Sequence, residues 1–254
     1  MTTALITNDD GIASPGLLAL ARAAVTAGLD VIVAAPAGDA SGTSAAITAA
    51  LMPGAAHSDA VRVERRPLDG LDAPAYAVHA APALIALIAA HGAFDRSPDV
   101  VLSGVNRGAN IGHAILHSGT VGAALTGGAS GARAIAASLD VGMRPRRYAW
   151  DEAAAATVAL VPALLDEPAG TVVNLNVANR PGVMPTVRAA TLAPFGIVHT
   201  TLTERGEHEV ELTVAELPAS PDPGSDAALL AEGYSTLTGV TAIADSGVAS
   251  RLVG

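Results

Sequence analysis

Asp9 and Asp10 stand side by side in Thr7-Asn8-Asp9-Asp10-Gly11, directly after the apolar run Ala4-Leu5-Ile6. Neighbouring carboxylates repel, and without compensation one of them tends to hold its proton. A divalent cation removes that conflict. Mg²⁺ and Mn²⁺ prefer oxygen ligands, commonly take one or two carboxylates, and keep positions for water and a substrate phosphate. The same pair also suits a helix entry, where acids cap the helix and favour its dipole while Gly11 supplies a tight turn. From these residues alone both readings stand.

Chemistry at this pair requires a support that fixes it. Ala4-Leu5-Ile6 reads as a buried strand, and Ser14-Pro15-Gly16 followed by Leu17, Leu18, Leu20 and Ala21 reads as a helix start. The aspartates therefore fall at a strand's carboxyl end, where open α/β sheets bind ligands. Gly28 stops the helix and Asp30 to Ala35 gives a second buried strand ended by Pro36, the spacing of a βαβ unit. A small-residue loop, Gly38 to Ser44, precedes strand-like pieces at 61–64 and 75–78, a helix from Pro82 to about His91, and a strand at Asp99-Val100-Val101-Leu102. Ser103 to Gly112 reads as a glycine-containing loop built for close backbone approach. His117-Ser118-Gly119-Thr120 then enters an alanine-rich helix, either as an anion site at its N-terminus or as ordinary capping by Ser118 or Thr120.

Strands at 134–139 and 171–177 with a helix at Trp150 to Leu165 complete a mostly parallel sheet with helices on both faces. From Pro185 the character changes to strand-like pieces at 186–192, 197–202 and 209–214. The last two are joined through Glu204-Arg205-Gly206-Glu207 as a projecting hairpin. Pro218 to Gly224 reads as a hinge before a short helix and a final strand from Ser235 to Ile243. The division is a core at 1–184 and a C-terminal hairpin and tail at 185–254 within the same unit.

At 254 residues the chain can bury one substantial α/β core. A formal net charge of −10 argues against a nucleic-acid polymer as partner, although a small phosphate ester remains compatible if a metal supplies the local positive charge. The absence of cysteine removes thiol nucleophiles and thiolate metal sites, and fits a reducing, cytoplasmic setting. Asn8-Asp9-Asp10 interrupts the first apolar stretch too early for a signal peptide, and the longest apolar run, near 80–90, is too short to span a bilayer. Every basic residue is Arg, which excludes a lysine Schiff base or P-loop lysine.

Taken together, these segments resemble the SurE (survival protein E) nucleotidases over most of the chain. The matching pieces are Thr7 to Gly11, Ser14 to Leu17, Val33 to Pro36, Ser41-Gly42, Ser103 to Asn110 and Ser118 to Val121, with weaker matches at Asn174 to Val177, Ser225-Asp226 and Glu232 to Tyr234. The resemblance implies a three-layer α/β/α Rossmann-like fold, with the C-terminal hairpin and tail exchanged in a homodimer or homotetramer. It implies one divalent metal ion per subunit, Mg or Mn, held by Asp9, Asp10, Ser41 and Asn106. It places Ser118, Gly119 and Thr120 at the phosphate and has Asn8, Gly42 and Asn110 shaping the pocket. The implied activity is hydrolysis of nucleoside monophosphates, 5'-nucleotides with 3'-nucleotides as a further substrate, with Asp9 and Asp10 as the catalytic carboxylates and either water or an aspartate as nucleophile.

The chain departs from the family pattern in two places. His79-Ala80-Ala81-Pro82-Ala83 stands where many members carry Gly-Thr-Pro and then Asp-Cys, and Asp39-Ala40 replaces an Asn-Arg pair. Both changes predict weaker binding of anionic substrates or a different substrate. They also keep open a second reading, a catalytically weak member acting as a metabolite-binding or assembly protein. A haloacid-dehalogenase-like phosphatase is disfavoured, because that class spaces its aspartates by one residue and needs a lysine. His113 and His117 read as exposed or loop-anchoring, and His57, His79, His91, His199 and His208 lack companion ligands. With a single Trp150 at a helix start and few aromatics in all, platforms for stacking a base are scarce, and Tyr76, Tyr148 and Tyr234 read as core or interface residues rather than a nucleobase clamp, leaving base recognition loose.

Overall fold

The computed structural model describes residues 1–48, 60–142, 145–194, 199–205, 210–215 and 221–241, with backbone alone at 199–205 and 210–215. In chain order it contains β1 (Thr3–Thr7), α1 (Pro15–Thr26), β2 (Asp30–Pro36), β3 (Val63–Arg65), β4 (Ala75–Val78), α2 (Pro82–Ala90) and β5 (Val100–Arg107). A 3₁₀ segment (Gly112–His117) leads to α3 (Gly119–Ala129), β6 (Arg133–Asp140), α4 (Trp150–Ala159), α5 (Val161–Leu165), β7 (Val172–Ala178) and β8 (Val187–Ala189). The chain continues with β9 (His199–Arg205), β10 (Val210–Ala215), α6 (Asp226–Ala231) and β11 (Ser235–Val240).

One nine-stranded sheet runs β3-β4-β2-β1-β5-β6-β7-β11-β8. The six strands from β4 to β7 are mutually parallel, and β3 and β11 run antiparallel to β4 and β7. After β4 the chain returns across the sheet to place β5 on the other side of β1. This reversal opens a crevice at the carboxyl ends of β1 and β5, the position where doubly wound sheets bind ligands.

Side-chain alternation explains the three layers. Ala4 and Ile6 of β1, with Val31, Val33 and Ala35 of β2, face α1 and α4, whereas Leu5, Ile32, Ala34 and Val101 face α2 and α3. The helices follow from local signals. Ser14 caps α1 by accepting from the Leu17 N–H at 3.3 Å, with Pro15 in the first turn.

Four expectations need adjustment. Ser103 to Arg107 continues β5 rather than forming a loop. One extra residue of β5 stands against β6 between Ser103 and Asn106, so the alternation shifts while pairing resumes. The helix expected at Trp150 to Leu165 divides at Leu160, two residues before Pro162, because proline lacks the N–H that a continuous helix needs. The strand expected at 186–192 shortens to Val187–Ala189, and the final strand ends at Val240, while Ile243 lies outside the described residues. β9 and β10 pair antiparallel as the expected hairpin, although its turn and the first half of the expected hinge lie outside the described residues.

Candidate metal and phosphate site

Asp9 and Asp10 leave β1 into the crevice, and the turn that carries them is fixed from beneath by Asn8. That side chain has no exposure. Its Nδ2 donates to Ser14 Oγ at 2.6 Å and to Gly11 O at 3.2 Å, and its Oδ1 accepts from the Gly11 N–H at 3.2 Å. Asn8 thus joins the acid turn to the cap of α1, and its amide is committed to the turn.

Asp9 is 4 % exposed. Its Oδ1 accepts from the Thr120 hydroxyl at 2.5 Å and its Oδ2 from the Thr120 N–H at 3.0 Å, so the carboxylate sits at the N-terminus of α3. Asp10 is half-buried, and its Oδ2 accepts from the Arg107 N–H at 3.1 Å, which ties β1 to the end of β5. Burial pushes both carboxyls above their ordinary range. The Thr120 and Arg107 donors oppose that rise, whereas Asp39 adds to it for both and Asp9 for Asp10.

The loop after β2 closes the third side. Ala40 N–H donates to Asp9 O at 2.8 Å, and Ser41 donates its hydroxyl to Asp39 Oδ1 at 2.6 Å. Those bonds to Ser41 hold the Asp39 carboxyl below its usual value. Helix α3 approaches this loop closely because it begins with small residues. A Cβ on Gly119 would stand 2.9 Å from Asp9 Oδ2 and 3.0 Å from Thr43 Oγ1, and one on Gly122 would stand 2.2 Å from Ser44 O. Gly42 lies exposed in the same loop.

Asn106 and Asn110 belong to the segment at the end of β5 that the Arg107 N–H ties to Asp10. Asn106 donates Nδ2 to Gly108 O at 2.8 Å, which leaves its carbonyl oxygen as an acceptor. Asn110 is held by a polar clamp. Its N–H donates to Asn176 Oδ1, its O accepts from Asn174 Nδ2 and Asn176 Nδ2, each at 2.8 Å, and its own Nδ2 donates to Ser138 Oγ at 2.9 Å. Buried Asp226 secures the next residues by accepting from the Gly112 N–H at 2.8 Å and the Ala193 N–H at 2.9 Å.

The donor set fits a hard divalent cation. Among the described residues there is no cluster of three His, Cys, Asp or Glu placed to hold a metal, so a nitrogen- or thiolate-rich site is not what these residues build. Asp9, Asp10, Ser41 and Asn106 offer two carboxylates, a hydroxyl and an amide oxygen, the chemistry Mg²⁺ and Mn²⁺ favour. Burial raises both carboxyls, with a smaller contribution from neighbouring carboxylates, and a bound cation would offset both effects. Ser118 completes the surroundings. Its oxygen caps α3 by accepting from the Val121 N–H at 3.1 Å, leaving its hydroxyl proton to donate elsewhere.

The family model described as Survival protein SurE matches residues 4–206. The chain belongs to the SurE family. It is 42 % identical over 186 residues to the 5'-nucleotidase SurE of Symbiobacterium thermophilum, covering 71 % of this chain and 68 % of that protein. It is 35 % identical over 242 residues to the 5'-nucleotidase SurE of Phenylobacterium zucineum, covering 92 % and 89 % of the two. The crystal structure of the SurE protein from Aquifex aeolicus superposes with a TM-score of 0.76 at 24 % identity, over 99 % of this chain and 98 % of that one. This last likeness speaks for the α/β SurE fold.

Sequence reasoning did not assign Asn174, Asn176, Ser138 or Asp226 to the site's support, nor Arg107 to Asp10. The two asparagines carried a signal, since residues two apart on a strand share a face. The tyrosines separate. Tyr76 packs on Phe94 with ring centroids 5.0 Å apart, and Tyr234 lies beneath the Arg188 guanidinium at 3.4 Å. Tyr148 packs against the core on one side and lines a cleft beside Asp10 on the other, a placement the core reading alone did not anticipate. His113 and His117 are exposed on the 3₁₀ segment.

Proposed function

We propose that this SurE-family chain is a divalent-metal-dependent phosphomonoesterase that hydrolyses nucleoside monophosphates to nucleoside and phosphate. The carrying observation is the pair Asp9 and Asp10, adjacent, buried to different degrees and held above the ordinary carboxylate range at the topological switch of the sheet. Nucleotide as substrate rests on the relatives named 5'-nucleotidase SurE. Activity on 3'-nucleotides is part of the same proposal, because nothing in the acid turn itself distinguishes the sugar position.

Asp9, Asp10, Ser41 and Asn106 would hold one Mg²⁺ or Mn²⁺. When bound, such an ion polarises a phosphoryl oxygen and makes a nearby water more acidic. The protein's own groups do the rest. The Ser118 hydroxyl and the Gly119 N–H donate to the equatorial phosphoryl oxygens as charge develops there, because the Thr120 and Val121 N–H groups are engaged by Asp9 and Ser118. Thr120 fixes Asp9 so that the carboxylate need not reorient. Asp10, with one oxygen engaged by Arg107, is the freer of the two and takes the proton of the attacking water. The P–O ester bond breaks as Asp10 passes that proton to the departing ester oxygen, so the nucleoside leaves as the alcohol and the carboxylate is regenerated.

We extend the proposal to organisation. β8 and β11 are hydrogen-bonded into the main sheet, which supports treating 1–184 and 185–254 as one unit. β9 and β10 form a separate two-stranded sheet, a suitable element for exchange in a homodimer or homotetramer. Among the described residues no helix is long and apolar enough to cross a membrane. A cytoplasmic setting rests on the cysteine-free composition.

The test is phosphate release from several nucleoside monophosphates with and without Mn²⁺ or Mg²⁺, beside Asp9→Asn and light scattering of the same sample. Metal-dependent release lost in the variant is expected. No release with any metal from folded protein would leave the binding-protein reading instead.

A further inference from the structure

The chemistry above leaves unused a cleft of about 460 Å³ on the Arg107 side of Asp10, walled by Asp10, Ser14, Gly16, Arg107, Tyr148 and Trp150. Its wall is aromatic. Tyr148 and Trp150 stack with ring centroids 5.2 Å apart and planes within 8°, and the Arg107 guanidinium carbon lies 5.6 Å from the Tyr148 centroid. In a chain with one Trp, three Tyr and two Phe, placing two of these rings in one half-exposed stack at the rim of the acid turn is a concentrated use of a scarce residue type. Both rings pack on the core from one side, so the platform is held in place. Trp150 is seated against the start of α1, where a Cβ on Gly16 would stand 3.1 Å from its Cζ3.

The platform is also tied to the catalytic carboxylate. Arg107 presents its guanidinium to Tyr148 while its own backbone N–H donates to Asp10 Oδ2 at 3.1 Å. A ligand on the platform is therefore at a fixed remove from the acid turn. Another cleft, about 370 Å³ between 36–40 and 78–81 and reaching Asp39, offers no comparable surface. Its lining is small and apolar apart from Asp39, two threonines and His79, and His79 Nε2 is paired with Glu64 Oε1 at 3.0 Å.

We propose that the Tyr148–Trp150–Arg107 cleft is the nucleoside subsite, where a planar base stacks against the aromatic wall and the Arg107 guanidinium donates to base or ribose oxygens. This rests on the nucleotidase reading and gives it its substrate selectivity. Stacking tolerates every base because each has a π-face, so the subsite selects nucleotides over simple phosphate esters more than one base over another.

Trp150 is the sole tryptophan and reports on the cleft directly. Its emission should change saturably with a purine 5'-monophosphate and, more weakly, with the bare nucleoside, but not with ribose 5-phosphate. In kinetics, Tyr148→Leu should lower the preference of kcat/KM for the nucleotide over ribose 5-phosphate by roughly tenfold, the scale of a lost base–aromatic stack. Tyr148→Phe should restore it. A nucleoside signal from protein that hydrolyses no ester would sustain the subsite and defeat the phosphatase reading. Equal kcat/KM for the two esters with an unresponsive Trp150 would defeat the subsite and leave that reading intact. A preference lost in His79→Ala but kept in Tyr148→Leu would move the base to the other cleft and overturn the proposal.

Discussion

Thr120 donates twice to Asp9, its hydroxyl to Oδ1 at 2.5 Å and its N–H to Oδ2 at 3.0 Å, while having no solvent exposure of its own. Through this pair the N-terminus of α3 acts on the carboxylate. The hydroxyl stabilises the ionised form, so its removal should raise the Asp9 pKa further. Thr120→Val, similar in shape, is expected to cost about 1.5–3 kcal/mol of stability, the range for a hydrogen bond to a charged group. The acid limb of the pH–rate profile should move to higher pH. An unchanged acid limb would count against this role for the hydroxyl.

The approach of α3 to the loop bearing Ser41 depends on two missing side chains. Because a Cβ on Gly122 would lie 2.2 Å from Ser44 O, a backbone atom that cannot swing away, Gly122→Ala must push helix and loop apart. The expected cost is about 1–3 kcal/mol. Metal affinity measured by calorimetry should fall as well, since Ser41 moves with Ser44. Gly239→Ala, where a Cβ meets nothing within 4 Å, is the control and should leave both quantities alone.

Burial raises Asp9 and Asp10 above their ordinary 3.8. A raised acid adds stability that is fully present below its unfolded-state pKa and is lost as pH rises through the folded value. The metal-free protein should therefore lose this contribution on going from acidic to neutral pH, against the usual trend from other carboxylates. A divalent cation requires the ionised pair, so its affinity should weaken as pH falls through the same raised values. Melting curves with and without Mn²⁺ across that window should show the metal increment growing with pH. Asp9→Asn should melt higher than the parent without metal at neutral pH and gain little from Mn²⁺. A metal increment independent of pH would contradict both statements.

Much of this arrangement is legible in the chain because it depends on local signals. The apolar runs before Asp9 and before Ser103 mark buried strands, and Ser14-Pro15 and Ser118 mark helix starts, so two connections, the acid turn and the segment leading into α3, fall at one sheet end without reference to any partner. Local signals fail where a contact joins distant segments. Nothing near Asp226 announces that its carboxylate will hold the Gly112 N–H, 114 positions away in sequence, nor near Arg107 that its N–H will meet Asp10, 97 positions away. The β5 bulge escaped notice for a related reason. Ser103-Gly104-Val105-Asn106-Arg107 has loop composition, and its pairing with β6 keeps it in the sheet. The stacked Tyr148 and Trp150 were hidden because their spacing of two residues spans a turn into α4, where periodicity carries no information.

Asp39 and Ala40 set the last expectation. Asp39 is exposed at the mouth of the site, its carboxyl is kept ionised by Ser41, and its charge bears on both Asp9 and Asp10. An anionic substrate meets this fixed negative charge on entry. Ala40→Arg places a cation beside it, on the residue whose N–H already donates to Asp9 O at 2.8 Å. KM for nucleoside monophosphates should fall several-fold at low ionic strength, with little change in kcat, because the new charge attracts substrate and transition state alike. The gain should shrink as salt is raised toward physiological strength, where the screening length is about 8 Å. If Ala40→Arg leaves KM unchanged at low salt, the Asp39-Ala40 segment does not set anion affinity.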